Sequence, residues 1–331
     1  MEDGRDPRFN NESEAYTQFL RTGFPPPFDI TIQAMRDRAE ALHKKINEKL
    51  IGKFKGKEEE KNVKINNNIE IPITIYTPVD VNKDKLVIFF HGGGWTVNSR
   101  KTHQTIVNML AEYFIIYLFK YVKYRDFSSA TKSIWISVEY RLSPEHKFPI
   151  WLDDGCEVTR QILANKTAYG ADENTKIGVA GDSGGGLIAA SICHTIKNLD
   201  FQILITSQFE FFHKFPSRQE FNRPLFVIPM DVLDWFSSNA LRNEDDKNDP
   251  RFSILLNKSF NSLPTCLFIV AELDPLRDDS YKYQEILEKA GVKTKLVLIK
   301  GVIHPFFSNP GIFIKSCQQV IDAVQEFMKN L

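Results

Sequence analysis

The chain reads as an α/β protein: a mostly parallel central sheet flanked by helices. Two observations carry this. Short apolar runs without polar interruption alternate with helical stretches, as central strands covered on both faces require. Two of these runs end in glycine-rich turns, His91-Gly92-Gly93-Gly94-Trp95 and Gly181-Asp182-Ser183-Gly184-Gly185-Gly186. In open parallel sheets ligands bind beyond the carboxyl ends of the strands, where such turns lie.

Residues 1–28 are polar and then proline-rich. From Asp29 the apolar positions Ile32, Met35, Ala39, Leu42 and Ile46 recur at helical spacing, with Asp29 or Thr31 as cap. Residues 52–61 read as a charged linker. Period-two alternation through Val63–Ile65 and Ile69–Tyr76 predicts an antiparallel hairpin at a sheet edge, where Pro72 is tolerated. Leu86–Phe90 is a central strand, followed by a helix over about 101–111. The segment 113–131 is an unusual insertion. Its apolar part, Tyr113–Phe119, is too short to span a membrane, so a packed element ranks above membrane contact. Further strands are expected at Ile134–Val138, Lys176–Ala180, Phe201–Ile205, Cys266–Ala271 and Lys295–Ile299. Helices are expected over about 150–164, 187–192, 229–242, 279–290 and 310–329. Residues 207–262 carry many aromatics and no clear strand, which suits a cap or pocket wall inserted between strands.

Composition narrows the function. The 331 residues hold 42 Lys plus Arg and 42 Asp plus Glu, so there is no basic footprint for nucleic acid. Cys156, Cys193, Cys266 and Cys317 form no C-x-x-C pair and read as buried thiols in a reducing compartment. The histidines lack metal-ligand spacing, so neither a metal nor another cofactor is expected. The charged start of the chain does not read as a signal peptide; with the reduced cysteines it points to the cytoplasm.

The chemistry lies in the turns. A strand, a turn with Ser183 at its tip, and a helix make the G-x-S-x-G nucleophile elbow. Gly181 and Gly185 flank the serine where a Cβ would clash. His91 and Gly92–Gly94 fit an oxyanion loop. The alternative, a phosphate-binding turn, lacks both G-K-[ST] and G-x-G-x-x-G. Asp274 and His304 each follow a predicted strand. The order Ser183, Asp274, His304 is the one an elbow serine requires, although Asp278 and Asp279 compete for the acid role. The N–H groups of Gly92, Gly93 and Gly184 are expected to receive an oxyanion.

These blocks, together with Glu139–Pro149, Asp274-Pro275-Leu276-Arg277-Asp278 and His304-Pro305-Phe306, resemble the hormone-sensitive-lipase-like branch of the α/β hydrolases, which includes arylacetamide deacetylases and plant carboxylesterases. The resemblance runs from about Leu86 to Leu331. It implies the α/β-hydrolase fold and selects Asp274 as the acid. It also implies a helical cap over residues 1–50 and a catalytic domain over 51–331, with 207–262 as a cap insertion. The implied activity is a serine carboxylesterase acting on small to medium acyl esters, with amides as a second class. Two alternatives stand beside it. One is a ligand receptor, as in the gibberellin receptors, which lack the histidine that this chain keeps. The other is a membrane-surface lipase anchored through Phe114–Phe119. Three features depart from the family pattern. Gly184 stands where Ala is usual, Pro305 where Gly is usual, and the 113–131 insertion is extra. Pro305 removes an N–H and biases His304 toward extended backbone, which bears on the placement of its imidazole.

Overall fold

Strand β3 (Lys85–Phe90) shows how the molecule is layered. Leu86, Ile88 and Phe90 point into one apolar layer, and Val87 and Phe89 into the other. This is the period-two signature of a strand covered on both faces. The computed structural model describes residues 6–23, 31–65, 69–112, 130–212 and 214–331.

Among these, eight strands form one sheet in the order β1-β2-β4-β3-β5-β6-β7-β8. The remaining strands are β1 (Lys57–Lys64), β2 (Glu70–Thr77), β4 (Ile134–Val138), β5 (Lys176–Asp182), β6 (Phe201–Ile205), β7 (Thr265–Leu273) and β8 (Thr294–Ile303). Pairing is antiparallel from β1 to β2 and from β2 to β4, and parallel from β4 through β8. Helices α4 (Ile150–Ala164), α5 (Gly184–Thr195) and α8 (Arg277–Lys289) cover one face, with Trp151, Ile188 and Tyr283 in its core. Helices α3 (Gln104–Ala111) and α9 (Ile314–Lys329) cover the other, with Leu110, Val320 and Val324.

Helix α1 (Asn11–Gly23) lies in the polar stretch, inside the region where the family resemblance implies a helical cap but where no periodicity marks a helix. Asn10 Oδ1 accepts the N–H groups of Glu12 and Ser13 at 3.1 and 2.9 Å, satisfying two donors at its start. Tyr16 packs on Phe313, and Ser13 Oγ donates to Gly301 O at 2.7 Å. Tertiary docking makes this helix, so local composition does not announce it. Helix α2 (Ile32–Ile46) is capped by Thr31, whose Oγ1 accepts the Ala34 N–H at 3.2 Å; Asp29 lies outside the described residues.

The expected linker 52–61 is half strand, because β1 begins at Lys57. Its burial alternates with period two: Glu59, Lys61 and Val63 are more covered than Glu58, Glu60 and Asn62, as suits an edge strand with one face on the molecule. Pro72 is not on an edge: β2 pairs on both sides. The Pro72 carbonyl accepts Glu139 N–H at 2.9 Å, just past the end of the β2–β4 ladder. The missing N–H on that side costs only the reciprocal bond to Glu139, at the point where the ladder ends. Between β6 and β7 no strand occurs among the described residues; α6 (Pro216–Glu220) and α7 (Met230–Ala240) lie there. The 113–131 insertion, Phe114–Phe119 included, falls outside the described residues up to 129. Among those described, no helix is long and apolar enough to cross a membrane.

Candidate active site

Strand β5 ends at Asp182 and α5 starts at Gly184. Ser183 between them has φ +54° and ψ −123°, a conformation side chains rarely adopt. Its N–H donates to Ile205 O at 2.9 Å, which ties the strained residue to β6. The glycines around it are forced. A Cβ on Gly181 would sit 2.2 Å from Gly185 O, and one on Gly185 would sit 2.1 Å from Phe90 O.

Asp274 follows β7 and is fully buried. Its Oδ1 accepts the Leu276 N–H at 2.8 Å, and its Oδ2 lies 2.8 Å from His304 Nδ1. The other ring nitrogen, Nε2, lies 2.9 Å from Ser183 Oγ. A carboxylate only accepts, so Nδ1 carries the proton and Nε2 offers its lone pair to the serine hydroxyl. The competing carboxylates face elsewhere. Asp278 binds the Ser217 N–H and Arg277, while Asp279 binds the Phe209 and Glu210 N–H groups and lies 2.9 Å from Arg218. Pro305 sits in the one-turn helix His304–Phe306, where its absent N–H is not needed, and the imidazole still reaches both partners.

The oxyanion loop corrects one expectation. The Gly92 N–H is engaged: it donates to Asp182 Oδ1 at 2.9 Å. The rest of the loop is held almost atom by atom. Tyr140 Oη donates to His91 O at 2.6 Å, and His91 Nδ1 donates to Gly92 O at 2.8 Å. Gly93 O accepts from Thr96 and Val97, and Gly94 O from Thr96 Oγ1. Gly93 and Gly94 have φ of +114° and +55°, open to glycine at no steric cost. Their N–H groups have no hydrogen-bond partner among the described residues. Gly184, first in α5, likewise has no intrahelical acceptor.

Comparison with known proteins gives the family and the fold. A family model described as the alpha/beta hydrolase fold matches residues 123–308, more than half of the chain. The chain belongs to the α/β-hydrolase family. An arylesterase of Saccharolobus solfataricus is 28% identical over 302 residues, covering 88% of this chain and 90% of its own. Carboxylesterase NlhH of Mycobacterium tuberculosis is 30% identical over 258 residues, covering 75% of each. The solved hyperthermophilic esterase of the archaeon Pyrobaculum calidifontis superposes with a TM-score of 0.84 at 25% identity, covering 97% of this chain and 99% of that one.

Beneath the loop this hydrolase buries a polar cluster that motif reading does not reveal. His103, the residue preceding α3, sets its Nε2 3.2 Å from Asp182 Oδ2. Burial raises the Asp182 carboxyl, but His103, His91 and the Gly92 N–H outweigh it and hold the group below the ordinary aspartate range. The rings of His91 and His43 lie 5.8 and 5.9 Å from that of His103. Burial first, and His103 second, push both down to about 3. Arg36 of α2 is also invisible to motif reading. Its guanidinium donates to Thr96 O at 2.9 Å and Ser143 O at 2.7 Å, and pairs with Glu145. No local pattern marks Arg36 or His103, because their partners lie 60 and 79 residues away in sequence.

Proposed function

We propose that this carboxylic ester hydrolase cleaves small to medium acyl esters, with amides as a second class, through Ser183, His304 and Asp274 and an acyl-enzyme. Ser183 Oγ attacks the acyl carbonyl while His304 Nε2 takes its proton. Negative charge collects on the carbonyl oxygen. The N–H groups of Gly93, Gly94 and Gly184 receive it; each such donor is typically worth about 3 kcal/mol of barrier. Gly92 drops out of this set because its N–H already serves Asp182. The tetrahedral intermediate collapses, and His304 returns the proton to the departing alcohol. Water then attacks the acyl-enzyme with His304 as base, releasing the acid and restoring Ser183. Asp274 holds the Nδ1–H tautomer and stabilises the imidazolium. Helices α1 and α2 and residues 207–262 serve as the cap over the catalytic domain in this reading.

One observation carries the proposal: the unbroken line from Ser183 Oγ to His304 at 2.9 Å and on to Asp274 at 2.8 Å. It favours a catalyst over a ligand receptor on the same scaffold, which has no use for a poised base. The test is hydrolysis of p-nitrophenyl esters from acetate to palmitate by the wild type and Ser183→Ala. We expect turnover to fall about a millionfold in the variant, with an optimum at short to medium chains. Full activity in Ser183→Ala would remove the nucleophile assignment. Inactivity of the folded wild type on every ester would leave the receptor reading in its place.

A further inference from the structure

We propose that Asp182 and His103 are positioning residues that set the aim of the oxyanion loop; this rests on the esterase reading above. The loop needs such a device. Its two free donors belong to consecutive glycines, the residues with the widest backbone freedom. A donor misplaced by about 1 Å loses on the order of a hundredfold in rate. The carbonyls of Gly92, Gly93 and Gly94 are held from within the loop and its neighbours, and the Gly92 N–H, held by Asp182 Oδ1 at 2.9 Å, is the point that ties the loop to the nucleophile's turn. The carboxylate lies close against this glycine: a Cβ on Gly92 would stand 2.5 Å from Asp182 Oδ2. Asp182 is also bonded in sequence to Ser183. One side chain therefore links the nucleophile's turn directly to the loop that stabilises the charge it creates.

Asp182 is in turn held from the far side. His103 Nε2 reaches its Oδ2 at 3.2 Å, and His103 Nδ1 lies 2.9 Å from Thr102 Oγ1. Thr102 Oγ1 is locked to the Ser99 carbonyl at 2.8 Å and accepts the Ser99 N–H at 3.1 Å. The imidazole is completely buried, so it touches no substrate and acts only through Asp182. A carboxylate suits the junction because both oxygens accept, one from the loop and one from His103. An amide has only one accepting end.

The test uses the full chain and four variants: His103→Leu, His103→Gln, Asp182→Asn and Ser183→Ala. Readouts are kcat and KM on a short p-nitrophenyl ester, the inhibition constant of an alkyl trifluoromethyl ketone, and Tm. The ketone forms a hemiketal anion on the serine and so reports the hole itself. We expect His103→Leu to lower kcat about 10- to 100-fold, with KM within about twofold and the ketone weakened by the same factor as kcat. His103→Gln keeps a donor toward Asp182 and should recover most of that loss. Asp182→Asn should lose about tenfold in kcat and in ketone affinity.

A His103→Leu enzyme with lower Tm but wild-type kcat and ketone affinity overturns the proposal, since the pair is then merely structural. If His103→Leu does not fold, unchanged kcat and ketone affinity in Asp182→Asn overturn it equally. Turnover surviving in Ser183→Ala defeats the esterase reading and this inference with it. An inactive Ser183→Ala beside an unaffected His103→Leu defeats the inference alone.

Discussion

The two turns that face each other across the site are held by different physics. In the elbow, Gly181–Gly186, backbone meets backbone: the atoms that exclude a Cβ from Gly181 and Gly185 are all main-chain atoms, at 2.1–2.7 Å. Such contacts have no side chain that can swing away. In the oxyanion loop, side chains from other elements grip the backbone: Asp182 on Gly92, Tyr140 on His91 and Arg36 on Thr96. The elbow is therefore an all-or-none object, and the loop a sum of separate supports. Damage to the first should read as loss of fold, and damage to the second as graded loss of rate.

The largest expected effect belongs to the elbow. Gly185→Ala drives a methyl to within 2.1 Å of Phe90 O and 2.5 Å of His91 O. Main chain must move in both turns, and we expect a loss of about 4 kcal/mol or more, measured by urea unfolding. A variant with wild-type stability would show that the elbow yields and would erase the contrast between the turns.

Acid should find the loop side first. His91 and His43 are neutral in the fold, lowered from 6.5 to about 3, so the unfolded chain binds their protons more readily. Their stabilisation is complete above pH 6.5 and is lost as pH falls toward about 3. By pH 4 the cost is on the order of 3 kcal/mol per histidine. Stability measured against pH should therefore slope downward in this window, and His43→Gln should flatten it. A slope that is the same with and without His43 would assign acid sensitivity to other groups.

A smaller effect is expected where the loop is gripped from α2. Arg36→Ala removes the donors to Thr96 O and Ser143 O, and a tenfold loss in kcat (about 1.4 kcal/mol of barrier) is expected. Arg36→Lys should recover little, since a single ammonium does not span the two carbonyls and Glu145. Wild-type kcat in Arg36→Ala would show that Tyr140 and Asp182 alone hold the loop.

The same contrast explains what could be read without coordinates. Gly181, Gly185, Ser183 and His304 are legible because their requirements are local: a glycine where a Cβ clashes, a reactive group just past a strand end; Asp274 is told from Asp278 and Asp279 only by the family resemblance. The parallel strands are legible because burial on both faces leaves unbroken apolar runs such as Leu86–Phe90. Helix α1, the true start of β1 and the interior place of Pro72 are not, because docking and sheet order decide them. The engagement of the Gly92 N–H is hidden from local reading for the same reason. Whether its N–H is free depends on where Asp182, 90 residues onward, places its carboxylate. Arg36 and His103 carry no local signal at all.

The smallest effect tests whether the two turns are independent. Gly184 stands where the family usually has Ala, and the structure gives a reason. A Cβ there would lie 3.0 Å from Trp95 Cε2 and 3.4 Å from Gly94 Cα. Trp95 is buried, stacked on Trp151 with centroids 5.0 Å apart, and its Nε1 donates to Gly184 O at 3.0 Å. Gly184→Ala gains helix propensity of up to about 1 kcal/mol and offsets it by pressing the indole a few tenths of an ångström aside. We expect stability to change by less than about 1 kcal/mol. The informative quantity is kcat. If it falls two- to threefold, the elbow's methyl has been felt at Gly94 through Trp95, and the turns share a mechanical link besides Asp182. If kcat holds while Tm rises, the stacked indoles absorb the strain, and Asp182 is left as the connection between nucleophile and hole.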